Sequence, residues 1–120
     1  MKRIVSLVAA LAVAAVMVFA VVAYAGPSTA TGTTVKVAAK DTFRFTLSRK
    51  SAPHGKVTFK VTNKGRLKHD FKIAGKRTKM LKHNQTATLT VTLKKGKKYT
   101  YLCTVPGHAA AGMKGTFKAT

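Results

Sequence analysis

Between residues 86 and 93 the chain alternates strictly: Ala87, Leu89, Val91 and Leu93 are separated by Thr86, Thr88, Thr90 and Thr92. A repeat of two places every apolar side chain on one face of an extended strand and every hydroxyl on the other, whereas a helix would scatter both. Such a strand must bury its apolar face against a second layer. The same period recurs in short bursts. Val35 and Val37 flank Lys36; Phe43, Phe45 and Leu47 alternate with Arg44 and Thr46; Val57, Phe59 and Val61 alternate with Thr58, Lys60 and Thr62. Turn-forming stretches separate the bursts, at Ser51–Gly55, Asn63–Gly65, Ala74–Lys76 and Lys94–Lys98. The pattern predicts an all-β, Greek-key sandwich of seven to eight strands joined mainly antiparallel. Residues 76–85 are polar and irregular, and are expected to form a loop with one helical turn.

The first part of the chain has a different character. Lys2 and Arg3 precede an apolar run from Ile4 to Ala23, and Ala23-Tyr24-Ala25 offers small residues for a signal peptidase. Residues 1–25 are therefore expected to be a signal helix cleaved after Ala25. The alternative is an uncleaved anchor, since the run is about long enough to span a bilayer. Residues 26–34 read as a linker and 35–120 as the folded domain, exported to the periplasm or the extracellular space.

Charge narrows the function. The 120 residues hold 23 Lys and Arg against two acids, Asp41 and Asp70. From Gly26 onward 21 bases and both acids remain, a formal charge of +19. The bases lie singly or in pairs along strands, which marks a solvated face, and no basic motif interleaved with aromatics calls for a specific nucleic acid. A polyanion-binding role ranks last among the functions considered.

One stretch carries chemistry. Cys103, His108 and Met113 stand at C-x4-H-x4-M spacing on a loop between two strands. A single cysteine in an exported chain cannot close an internal disulfide, so its sulfur is available to a metal. A fourth donor comes from His69, whose strand parity with Phe71 and Ile73 turns its imidazole to the core side. On the next strand Tyr99, Tyr101 and Cys103 share a face, and Met113 shares parity with Gly115 and Phe117. Two imidazoles, a thiolate and a long axial thioether form a compromise site for both states of copper. Zinc fits less well, because structural zinc recruits more cysteines and Met is a poor ligand for it. Asp70 follows one donor and Thr104 another, and a hydrogen bond between them would tie the two segments together. His54 and His83 read as exposed turn residues, and Met80 and Leu81 as caps on the core.

The stretch from Tyr101 through Cys103, Pro106 and His108 to Met113, with His69-Asp70-Phe71 upstream, resembles the cupredoxin family of blue copper proteins. The likeness extends from about Val57 to Thr120. It implies an eight-stranded Greek-key sandwich with one type 1 copper ion, His69, Cys103 and His108 as equatorial ligands and Met113 as the axial one. The loop between Cys103 and His108 is of the longer kind, resembling auracyanin and rusticyanin more than plastocyanin. Many members carry Asn after the first ligand histidine, and here Asp70 stands there, which bears on the redox potential. The expected role is that of a one-electron carrier and monomer, and the basic rim around an apolar patch at His108 suits an acidic redox partner of the cytochrome or copper-oxidase type. Membrane contact would come only from an uncleaved N-terminal segment. The alternative is a copper-binding or delivery protein with the same ligands. An enzyme is not expected, because four histidines and one cysteine cannot furnish the further copper sites of an oxidase or nitrite reductase.

Overall fold

A computed structural model describes residues 32–120, so the expected signal segment and most of the expected linker lie outside the described residues. Among the described residues nine strands form two sheets. They are β1 (Thr33–Lys40), β2 (Arg44–Leu47), β3 (Ser51–Ala52), β4 (Gly55–Asn63), β5 (Lys72–Ile73), β6 (Lys76–Arg77), β7 (Thr86–Leu93), β8 (Lys98–Leu102) and β9 (Lys114–Ala119). One sheet runs β2-β1-β4-β7 and the other β3-β9-β8-β5-β6. The expected all-β sandwich is therefore the observed fold. β1 starts at Thr33, so the last two residues of the expected linker are already paired with β4.

The alternation sets which faces meet. Val35, Val37, Val57, Phe59, Val61, Val91 and Leu93 from the first sheet are buried against Phe71, Ile73, Tyr101 and Phe117 from the second. Rings bridge the layers edge to face: Phe59 meets Phe117 at 5.1 Å between centroids, and Phe45 meets Phe71 at 5.2 Å. Aromatic contacts of this kind add to the burial of their area and fix how the layers register. On the outer face of β4 and β7, threonine hydroxyls pair across the strands, Thr58 with Thr90 and Thr62 with Thr86.

Two features depart from the sequence reading. Residues 76–85 contain no helical turn; β6 folds back on β5 as a small hairpin, and Leu81 forms an isolated bridge with His69. Met80 is exposed, whereas Leu81 is fully buried as expected. The second departure is that β1 pairs with β4 in parallel, from Thr33 opposite Val57 to Ala39 opposite Asn63. The chain passes through β3 in the other sheet before returning as β4, so β1 and β4 end at the same pole. This brings Asp41, just past β1, beside Gly65–His69, just past β4.

Candidate metal centre

Cys103 follows β8 directly and Met113 precedes β9 directly, so the loop between them spans one pole of the sandwich. It is closed by its own backbone. The Cys103 amide donates to the Met113 carbonyl (3.1 Å), the Met113 amide to His108 (3.0 Å), and the His108 amide to Val105 (3.1 Å). Gly112 sits at φ +114°, a conformation open to glycine and strained for other residues. That turn returns the chain to β9 with Met113 facing inward.

The three strong donors come together here. Nδ1 of His108 lies 3.2 Å from Nδ1 of His69 and 3.6 Å from Sγ of Cys103, and the donor atoms of His69, Cys103 and His108 all fall within 4.8 Å of one another. His69 and Cys103 are buried and His108 is half-buried. Met113 is fully buried in the same apolar cluster as Cys103 and Ala39, with Phe43, Phe45 and Val105 packed around it. For bonds of about 2.0–2.3 Å from imidazole and thiolate to a first-row ion, three donors in a plane stand roughly 3.5–3.8 Å apart. The observed spacing suits such an ion with little movement. His54 and His83 lie elsewhere, with their Nδ1–H groups donating to the carbonyls of Thr120 (2.9 Å) and Gly65 (2.7 Å).

Both acids of the chain serve this pole. Nε2 of His69 is 2.9 Å from Oδ1 of Asp41. A carboxylate only accepts, so Nε2 carries the proton and Nδ1 presents its lone pair to the cluster. Asp41 also accepts from the amides of Arg66 (2.7 Å) and Leu67 (3.1 Å). The Arg66 amide, followed by His69, holds this carboxyl below its ordinary range. The absence of a side chain at Gly65 makes the arrangement possible, because a Cβ there would collide with the Asp41 carboxylate. Asp70, buried where Asp41 is exposed, accepts from the Thr104 amide (2.6 Å) with one oxygen and from the Thr104 hydroxyl with the other. This is the tie expected from adjacency. As a carboxylate, Asp70 takes both donors of Thr104, one on each oxygen.

Sequence reasoning did not find Asp41, Phe43 or Asn63. Phe43 packs edge-on to the His108 ring at 5.0 Å between centroids. Buried Asn63 donates to the carbonyls of Leu67 (2.7 Å) and Leu81 (2.8 Å) and accepts from the Gly65 amide (2.9 Å). It thereby fixes the segment that carries His69. The rarity of acids was the available signal for Asp41. Burial pushes the Cys103 thiol up and the His108 imidazole down, the latter helped by His69 beside it. In the metal-free protein these groups are thus biased to a neutral thiol and a neutral imidazole.

A β-sandwich with two histidines, a cysteine and a methionine gathered at one pole defines a mononuclear copper-binding protein. The sequence profile of copper-binding proteins of the plastocyanin/azurin family matches residues 28–120, and the chain belongs to that family. It is a cupredoxin, with His69, Cys103, His108 and Met113 positioned as a copper site. Similar solved structures include dithionite-reduced auracyanin from Roseiflexus castenholzii, with a TM-score of 0.66 at 22% identity over 74% of this chain and 98% of that one. Auracyanin A, a "blue" copper protein of Chloroflexus aurantiacus, gives 0.62 at 18% identity over 74% and 99%. An azurin of Methylomonas sp. strain J gives 0.59 at 19% identity over 73% and 98%. No curated protein sequence matches the chain significantly.

Proposed function

We propose that this protein is an exported one-electron carrier in which His69, Cys103, His108 and Met113 would hold a single copper ion. The supporting observation is the convergence of the two Nδ1 atoms and the sulfur at a spacing that suits one ion. Copper supplies a one-electron Cu(I)/Cu(II) couple when bound. The chain's own residues do the rest. Asp41 fixes the tautomer of His69, Asp70 and Thr104 strap the two donor segments together, and Phe43 and Met113 keep water from the inner side. Donors held this way move little between oxidation states, which keeps electron exchange fast.

The route to a partner runs through His108, the half-buried donor. Around it Pro106, Gly107, Ala110 and Ala111 are exposed and uncharged. Leu67 and Met80, the most exposed large apolar side chains among the described residues, sit on segments bonded to the His69 arm: the Leu67 amide reaches Asp41, and Met80 precedes Leu81, the bridge partner of His69. A neutral patch inside a cationic rim suits a brief encounter with an acidic redox protein. The protein loaded with one equivalent of copper should show an intense visible thiolate-to-copper band that Cys103→Ala abolishes. A band that survives the substitution refutes the ligand assignment. Copper that passes rapidly to a weak chelator, with slow electron exchange, would instead favour a delivery role.

A further inference from the structure

We propose that the outer face of the β2-β1-β4 sheet carries a second binding site, separate from the copper pole, for a linear polyanion of repeated phosphoryl groups. A groove of about 430 Å³ crosses these three strands. Its floor is Ala38, whose cross-strand partners are Thr46 and Thr62. The small methyl between two threonines makes the depression. Lys36 and Lys60, directly opposite each other across β1 and β4, stand at one end. Lys64, whose amide donates to the Ala39 carbonyl, stands at the other, four residues beyond Lys60 and about 13 Å away at roughly 3.3 Å per strand residue. The Ser48 hydroxyl, which accepts from the Lys36 amide at 2.9 Å, lies on the rim.

Charge argues for an anion from outside the chain. Like charges directly opposite on a sheet destabilise it, and Lys36–Lys60 is one such pair; Lys40–Arg44 and Lys98–Lys118 are others. Among the described residues the only carboxylate side chains, Asp41 and Asp70, are both engaged at the copper pole. No side chain of the domain is therefore left to neutralise the groove. Cations at both ends and hydroxyls along the walls suit a chain of tetrahedral oxyanions lying lengthwise, each offering several acceptors to ammonium and hydroxyl donors. A flat bilayer surface would touch the rims without entering the depression. The groove has no aromatic wall on which a base could stack, so the backbone of the polymer is what it recognises.

The probe is long-chain inorganic polyphosphate, titrated into the copper-loaded protein at several salt concentrations. Replacing Lys36, Lys60 and Lys64 together by Ala should weaken binding about tenfold or more and reduce the salt slope by about 3, one per lysine. A control triple that removes the same charge elsewhere, Lys72→Ala with Lys98→Ala and Lys118→Ala, should weaken it by less than about threefold. The visible copper band, retained in both triples, shows that they fold. Equal losses in the two triples would mean that total charge binds, and would overturn the groove. Binding to phosphatidylglycerol vesicles with none to polyphosphate would overturn it as well.

Discussion

The two arms of the copper site are held in opposite ways. The Cys103–Met113 loop carries three of the four donors and closes on itself, with amides of Cys103, His108 and Met113 all bonded within the loop. The His69 arm carries one donor and is held almost wholly from outside. Leu81 pairs with its backbone, Asn63 ties the carbonyls on either side, and Asp41 grips the far edge of its ring. A site of this kind gains its loop from local sequence and its remaining histidine from the whole fold. Substitutions that loosen one arm should leave the other measurably intact.

The largest effect is expected at Asn63. Asn63→Ala removes one donor each from the part-buried Leu67 carbonyl and the buried Leu81 carbonyl and leaves the buried Gly65 amide without its acceptor, at a cost of about 2–4 kcal/mol. Thermal unfolding of the metal-free protein should then fall by roughly 10 °C or more. A change of only a degree or two would show that the His69 arm stands without this hub. Thr104→Val comes next. It removes one of two donors from the buried Asp70 carboxylate and should cost about 1–3 kcal/mol, read by denaturant titration. Because this bond joins the two arms, copper affinity should fall along with stability.

Asp41→Asn turns an NH2 group towards an amide or imidazole donor and so loosens the His69 arm, and it should raise the reduction potential, since an anion next to a ligand imidazole favours the more highly charged copper state. Voltammetry decides the matter, and an unchanged or lowered potential would contradict the role given to this carboxylate. The smallest effect concerns alkaline pH. Burial raises the Tyr101 phenol above its ordinary value of 10.0, so the folded state keeps a proton that the unfolded chain has lost. Its contribution is complete below the unfolded value and drains away as pH rises towards the folded one. The metal-free wild type should therefore lose stability above about pH 10 more steeply than Tyr101→Phe.

The asymmetry between the arms also explains what could be read in the chain itself. The loop donors were visible because a short spacing between two strands puts their ends together whatever the rest does. His69 was legible through parity with Phe71 and Ile73, and the Asp70–Thr104 tie through adjacency to two donors. Asp41 and Asn63 were not, because their role depends on β1 lying parallel to β4. Had that pair been antiparallel, as the hairpin pattern suggested, Asp41 would sit at the opposite end of the sandwich. Alternation fixes which face of a strand is buried and says nothing about which neighbour it chooses. The short hairpin of β5 and β6 escaped notice for a related reason: Lys76 and Arg77 are both exposed, so no apolar period marks them.

X-ray absorption at the copper edge of the singly loaded protein addresses the four-donor site most directly. The account predicts one short bond to sulfur and two to imidazole nitrogen in the wild type, with the sulfur lost in Cys103→Ala. A wild-type spectrum fitted by nitrogen and oxygen alone, with no short sulfur bond, would contradict it.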